Sequence, residues 1–455
     1  MNQLSADYLV VGSGAMGLAF VDEVLSADGK ATVILVDRYG SPGGHWNVAY
    51  PHVSLHQPAA FYGVNSEPLG NGGIALASGT EVLTYFQKVI VKHQHSGRLK
   101  YFPQCEYSFE ETTTHQFQSN VSGQQYEVSK IERLVDATYM QVEVPFMRPA
   151  PFPVASEQNI VPPNSLSSLT QAYQKYVIVG AGKTGMDAVL LLLDRGVKQE
   201  AIRWIMPNDA WLLDRANIFP EGLLNTLGTQ MRLSATAKSL EDLLIALETE
   251  GMLLRLDPQV WASKYRCATV SQSELTALRG IKDVVRLGRV EEITADQLRL
   301  RKGTLQIEDN SLFVDCTANG LSNRPIQPIF TEGKITLQSV AMCQQVYSAS
   351  LIAHVQLNFS SDQEKNDLCT VIPHPETIDD YLYAQRMGGV NAVRWGKSIR
   401  KWIRKARLSF NSHIPMWRIL LKRSELIKYT SASAANLNRI AKQRADIKSS
   451  QRSGH

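Results

Sequence analysis

Apolar positions along the chain come in short blocks separated by glycine and proline. Tyr8–Val11 is a continuous apolar run that ends at Gly12. After Ser13-Gly14-Ala15-Met16-Gly17, apolar residues recur at helical spacing as Leu18, Phe20, Val21, Val24 and Leu25, and Ala31–Val36 follows as a second buried strand. Strand, glycine turn, helix and strand make a βαβ unit, whose crossover is right-handed. A Gly/Pro/aromatic loop region occupies 39–73. Thr80–Lys92 then reads as a helix with Leu83, Phe86, Val89 and Ile90 on one face. Tyr101–Phe109, Phe117–Val121, Tyr126–Ser129 and Arg133–Ala137 alternate as an antiparallel meander over a parallel sheet would. The proline-rich Pro145–Pro163 reads as a linker or crossover.

The opening pattern then restarts. Tyr176–Val179 is a strand, Gly180-Ala181-Gly182-Lys183-Thr184-Gly185 a turn, Met186–Arg195 a helix and Ala201–Met206 a strand. Gly12 and Gly180 are 168 residues apart, too far for a solenoid repeat and suited to two copies of one domain type. A polar helical stretch, Ser239–Glu250, and strands near Val284–Ile293, Gln297–Arg301 and Leu312–Cys316 complete the second copy.

Composition narrows the class. Of 455 residues, 44% are apolar and 20% charged, enough for two or three folded domains and too apolar for a disordered chain. No apolar run approaches the ~18–20 residues of a membrane span, and no basic-then-apolar leader precedes Tyr8, so a cytoplasmic protein is expected. Cys105, Cys267, Cys316, Cys343 and Cys369 are too scattered for CxxC chemistry or zinc spacing, and they are expected to be buried or incidental thiols. The net charge of +4 hides an asymmetry: from Arg386 to His455 there are 17 Lys+Arg against Glu425 and Asp446. The body is therefore acidic and the C-terminal part strongly basic.

Each glycine turn sits between an apolar strand and a helix, the context a pyrophosphate cradle requires. Gly12 and Gly180 permit the sharp turn. Gly14 and Gly182 let the backbone approach a phosphate, and Gly17 and Gly185 let helix and strand pack closely. In the first copy, Ala15 and Met16 open the helix. Asp37, 20 residues past Gly17, stands where a carboxylate accepts adenosine ribose hydroxyls, with Arg38 placed to lie on the adenine. The second copy has Pro207-Asn208 at that place and no acid. That favours NADPH, with Lys183, Arg203 or Arg215 available to a 2′-phosphate and Lys183 more suited to the pyrophosphate beside Thr184. Asp209 swinging in would allow NADH.

Two such units resemble the two-dinucleotide-binding-domain flavoproteins. Leu134-Val135-Asp136-Ala137-Thr138 and Leu312-Phe313-Val314-Asp315-Cys316-Thr317-Ala318-Asn319-Gly320 are similar to the strands that close each nucleotide domain there. Gly43-Gly44-His45-Trp46 followed by Tyr50-Pro51 resembles the segment along the flavin in flavin-containing and Baeyer–Villiger monooxygenases. His56 falls where the Baeyer–Villiger group carries Asp, and Asn65 resembles an Asn near the reactive flavin carbon. The Phe-x-Gly-x-x-x-His fingerprint that links the two domains in those enzymes is absent.

The resemblance implies an α/β fold of two doubly wound, Rossmann-like domains, the NAD(P) domain inserted into the FAD domain, with a helical basic C-terminal segment. Its divisions are FAD-binding residues 1–170, NAD(P)-binding residues 171–322 with a substrate-facing insert near 211–270, a return at 323–390, a basic amphipathic segment at 391–430 and a flexible tail at 431–455. It implies FAD and NADPH as cofactors, Gly44, His45 and Trp46 against the flavin, and a monooxygenase using O2 and a C4a-(hydro)peroxyflavin on a small organic substrate. Asn65 and His56 are its candidate catalytic residues, His56 as a proton shuttle; no metal is expected. The alternatives are an NAD(P)H:acceptor oxidoreductase without oxygen insertion and a non-catalytic nucleotide-binding sensor or adaptor.

From Trp395, apolar residues recur as Ile399, Trp402, Ile403, Ala406 and Phe410 among six cations, a cationic amphipathic helix. Three placements fit residues 395–428: packing on the first domain, resting on an anionic membrane at its inner face, or docking an acidic partner such as a carrier protein. No specific nucleic acid binding is expected.

Overall fold

The computed structural model describes residues 2–72, 74–109, 114–220, 222–318, 320 and 324–453, so Gly73, Asn319 and Gly454–His455 lie outside it. Tyr8–Val11 is central in the first sheet. It pairs in parallel with Val33–Val36 on one side and Arg133–Asp136 on the other, and Leu99–Phe102 lies beyond Val33–Val36. Lys334–Thr336 adds in parallel to Arg133–Asp136, so the chain returns to this sheet after building the second; Phe330–Thr331 closes the edge antiparallel.

Because side chains alternate along a strand, this sheet has two different faces. Tyr8, Val10, Val33 and Leu35 face a core shared with the helices Ala15–Ala27 and Gln345–Asn358. Leu9, Val11, Ile34 and Val36 face Cys105, Tyr107, Phe117 and Val128 of a small sheet on the back. The expected meander is corrected here. Leu99–Phe102 and Arg133–Asp136 belong to the parallel sheet, and only Cys105–Tyr107, His115–Ser119 and Gln125–Lys130 run antiparallel, joined by Asn2–Ser5. Arg133–Asp136 is covered on both sides, which leaves no alternation to read in Leu134-Val135-Asp136.

The second sheet is parallel throughout, in the order Asn159–Val161, Ser311–Asp315, Lys175–Val179, Ile202–Ile205, Val284–Val285. Its edge strand comes out of the proline-rich stretch. Residues 210–270 form their own layer: Ala210–Asp214 pairs with Leu253–Arg255 and Lys264–Val270, beside the helices Leu223–Thr236 and Leu240–Thr249. The seemingly polar 239–250 stretch buries Leu240, Leu243, Leu244 and Leu247.

Two C-terminal expectations change. The amphipathic stretch is the end of a longer helix, Ile378–Ser398, broken at Ile399 (φ −128°) and resumed as Arg400–Lys405. Trp395, Ile399 and Ile403 are buried in the first core; the Trp402 indole N–H donates to Glu23 (2.6 Å) and the Arg407 guanidinium to the carbonyls of Ala60, Tyr62 and Val64. Residues 431–453 are helical, part of one helix, Arg423–Ser453. Leu437 and Ile440 pack among Leu243, Leu247 and Tyr265, and Arg444 and Lys448 donate to Asp379 (2.6 Å each). So sparse a stripe carries little periodicity alone; the packing partner stabilises it. The short helix Met416–Leu421 leaves Met416, Trp417, Leu420 and Leu421 exposed beside Arg418, Lys422 and Arg423. No helix among the described residues is long and apolar enough to cross a membrane.

Candidate functional site

Some helices of the chain carry side-chain caps and others do not. Ser78 and Glu81 form a reciprocal capping box on Gly79–His95, as do Ser271 and Glu274 on Gln272–Gly280. The two helices that follow the glycine turns have none: Gly14 and Gly182 are their N-caps, no side chain accepts from their first turns, and neither first turn carries an acid. Free N–H groups and the positive end of the helix dipole are left to an anion.

Both turns are built alike. Gly12 (φ +103°) and Gly180 (φ +117°) hold left-handed backbone. A Cβ at Gly17 would lie 1.9 Å from the Gly12 carbonyl oxygen, and one at Gly185 would lie 2.1 Å from that of Gly180. The neighbouring strands repeat a turn as well. The Thr138 N–H donates to Asp136 (3.0 Å) and the Thr317 N–H to Asp315 (2.9 Å), which brings Thr138 against Gly12 and Cys316 against Gly180.

Their charges differ. Asp37 is buried and accepts from the Ser13 N–H (2.5 Å) and hydroxyl (2.8 Å) and from the Tyr39 N–H (2.7 Å), so it ties the first turn to the end of its second strand. At the second turn Lys183 pairs with Asp187, which also accepts from the Tyr50 hydroxyl (2.6 Å) of the loop after Gly44–Val48. The other expected cations are spent: Arg203 pairs with Asp283 and Glu308, and Arg215 with Glu274 and the His56 carbonyl. Asp209 is bound by Arg286 (2.9 Å), which keeps it from the ribose position.

Both turns open on one cavity of about 1450 Å³. A pocket for a single drug-sized ligand holds about 300–1,000 Å³. Gly12, Gly14, Ala15, Met16, Asp37, Arg38, Gly44, His45, Trp46, His56, Gly180, Gly182, Lys183 and Thr184 all border it, while Gly17 and Gly185 act behind it through helix–strand packing. A Cβ at Gly182 would meet nothing within 4 Å, and one at Gly14 only the Gly44 backbone at 3.7 Å, so both cradles are open on the ligand side. These features fit the pyrophosphates of two dinucleotides. His45 stacks on Trp46 (5.4 Å), whose indole N–H donates to the Tyr62 hydroxyl (2.8 Å).

The two expected catalytic residues are placed differently. Asn65 does not border the cavity: its amide donates to Glu23 (2.7 Å) and its carbonyl accepts from the Leu408 N–H (3.1 Å). His56 does border it, with Nδ1 lacking a partner, but burial and the nearby Lys183 and Arg215 push its pKa down to about 3. A pKa this low favours the neutral, hydrogen-bonding form of the ring at pH 7. His45 is likewise lowered to about 4 by burial.

Two further features went unread. Arg289 borders the cavity with Pro207 and Asn208, and has no ion-pair partner among the described residues. A cation following the strand next to Ile202–Ile205 was the available signal. Cys267 and Cys343 form a disulfide, correcting the expectation of five incidental thiols; their separation of 76 residues resembles no motif.

No family model matches the chain. It is 43% identical over 424 residues to the uncharacterized protein Rv2000 of Mycobacterium tuberculosis and equally to the uncharacterized protein Mb2023 of Mycobacterium bovis, covering 89% of this chain and 78% of each relative. Among solved structures it is similar to an open form of cyclohexanone monooxygenase (12% identity, TM-score 0.52, 88% of this chain and 98% of that one). A polycyclic ketone monooxygenase from the fungus Thermothelomyces thermophila is similar too (12%, TM-score 0.51, 98% and 89%). At this identity the likeness is one of fold, the mixed α/β fold of the two-domain flavin monooxygenases.

Proposed function

The chain belongs to one family with these mycobacterial proteins, and from its cavity we propose that it is an FAD-dependent, NADPH-using oxidoreductase. The observation that carries this is the pair of uncapped glycine turns opening on a single cavity. We assign FAD to the first turn, in a domain formed by 1–170 and 323–390, and NADPH to the second, in an inserted domain of 171–322. FAD, when bound, takes a hydride from the nicotinamide and passes two electrons on, to O2 in a monooxygenase or to another acceptor.

The protein's part is binding and orientation. The Gly14 and Gly182 turns receive the two pyrophosphates, Asp37 the flavin-side ribose, and Lys183 and Thr184 the second diphosphate. Arg289 with Asn208 meets the 2′-phosphate. His45, Trp46 and Tyr62 form a wall for the flavin rings, and neutral His56 offers a hydrogen bond beside Lys183 without adding charge.

Oxygen insertion into a small organic substrate is the reading closest to the fold. Electron transfer to an acceptor without insertion is favoured by one observation, the diversion of Asn65 to Glu23 and Leu408. Anaerobic mixing with NADPH and then NADH, following bleaching near 450 nm, tests the assignment. NADPH is expected to bleach the flavin faster. Readmitting air in the presence of candidate substrates and measuring H2O2 against product separates the two readings. Protein that stays colourless after incubation with excess FAD would overturn both.

For the exposed Met416–Leu421 helix we infer an anionic lipid surface as partner, since Trp417, Leu420 and Leu421 project among Arg418, Lys422 and Arg423. Co-sedimentation with phosphatidylglycerol vesicles, lost in L420D/L421D, is expected; equal recovery with phosphatidylcholine, or none with either, would overturn it.

A further inference from the structure

The cavity wall contains a group that binding two nucleotides does not require. Cys267 and Cys343 are joined there as a disulfide, and both border the cavity. Cys267 lies in Lys264–Val270 of the 210–270 layer, and Cys343 lies between the return to the first sheet and the helix Gln345–Asn358. The bridge therefore ties the layer above the cavity to the sheet below it.

Local structure is bent to bring the sulfurs there. Trp211 pairs with Tyr265 and Leu213 with Thr269, so a bulge falls at Cys267 and turns its side chain out of register. Cys267 (φ +55°) and Cys343 (φ +58°) are two of the few non-glycine residues with left-handed backbone. Such strain collects where function demands a geometry.

His374 completes the group. One of its ring nitrogens and the two sulfurs lie within 4.8 Å of one another, and its Nδ1 is buried without a hydrogen-bond partner. The surroundings lead back to the first nucleotide turn. Gln344, next to Cys343, meets Gln57 (3.5 Å) at the end of the loop that carries His45, Trp46 and His56. Cys343 is half-buried and Cys267 buried, while Cys105, Cys316 and Cys369 are buried and free.

We propose that Cys267–Cys343 is a redox-active disulfide that takes two electrons from the reduced flavin, with neutral His374 hydrogen-bonding the sulfur released at Cys343. This rests on the FAD and NADPH assignment above. In the balanced step, NADPH, one proton from solvent and the disulfide give NADP+ and two thiols. The S–S bond breaks, the pair of electrons delivered as hydride ends on the two sulfurs, and two S–H bonds form. Burial and nearby Arg266 push the His374 pKa down to about 4, so the ring is neutral near pH 7 and serves as a hydrogen-bonding group beside the sulfurs.

The test is a thiol count on the intact, FAD-loaded protein. Maleimide labelling after anaerobic unfolding is expected to find three free cysteines in the protein as isolated, and five after dithiothreitol or after NADPH alone. Anaerobic titration is expected to consume two equivalents of NADPH per flavin in wild type and one in C343S or C267S, with the flavin still bleaching. H374Q is expected to slow the second equivalent about tenfold and leave the first unchanged.

If NADPH bleaches the flavin but the count stays at three, the disulfide is structural and the proposal fails while the cofactor assignment stands. Five thiols in the isolated protein together with stoichiometric zinc would replace it with a metal site. No bleaching with either nucleotide would defeat the underlying assignment, and dithiothreitol would still report whether the disulfide exists.

Discussion

The two glycine turns share one backbone design and differ in the side chains set beside it. Both use a left-handed glycine, an open second glycine, a third glycine pressed on the first one's carbonyl, and an Asp-x-Thr turn on the adjacent strand. The first adds the buried carboxylate Asp37, and the second adds Lys183 in an ion pair with Asp187. The backbone geometry is thus shared, and under the proposed assignment the side chains decide which nucleotide each turn prefers.

The largest expected effects come from breaking the shared part. G17A and G185A each force a Cβ into a backbone carbonyl, and each should cost about 3 kcal/mol of overpacking strain. If the turns are independent, G17A loses flavin absorbance, whereas G185A keeps the yellow colour and loses NADPH-dependent bleaching. A G185A protein that also loses flavin would show that the two halves do not fold separately.

Next in size are the unshared charges. Losing a charge-assisted hydrogen bond costs about 1.5–3 kcal/mol, roughly 10- to 150-fold in affinity. D37A should weaken FAD by at least tenfold in equilibrium dialysis without changing KM for NADPH. K183A should do the reverse, raising the KM for both nicotinamide nucleotides. R289A sharpens this further: KM for NADPH rises about tenfold while KM for NADH is unchanged, and equal effects on both would place Arg289 away from the 2′-phosphate.

The smallest effect concerns pH. His45, His56 and His374 are pushed by burial to about 4, 3 and 4, below the value near 6.5 of an unfolded histidine. The unfolded chain therefore binds more protons in that window. Their contribution is complete above about pH 6.5 and is lost as pH falls toward 4. At pH 5 each amounts to at most about 2 kcal/mol. Tm should drop between pH 7.5 and 5.5, and H56Q should flatten that drop; an unchanged profile would mean that His56 is solvated.

Legibility followed the range of the interactions. The glycine turns, their strands and helices, and the restart at Gly180 were readable because each requirement falls within about twenty-five residues of chain. The diversion of Asn65 was not, since its partners Glu23 and Leu408 come from a helix before it and a segment 343 residues later. Nor was the helix over 431–453, whose few apolar residues acquire meaning only against Leu243, Leu247 and Tyr265. Arg203, Arg215 and Asp209 were reasonable candidates until their ion pairs were seen.

Local sequence, then, determined that this protein has two anion-accepting backbone turns, because sterics at glycine and unpaired helix N–H groups are properties of a few consecutive residues. Tertiary structure decided that both turns share one cavity, which charges remain free to meet a ligand, and that Cys267 and Cys343 are bonded. Those outcomes depend on which distant groups satisfy one another first, and burial makes every buried charge or polar atom find a partner wherever the fold supplies one.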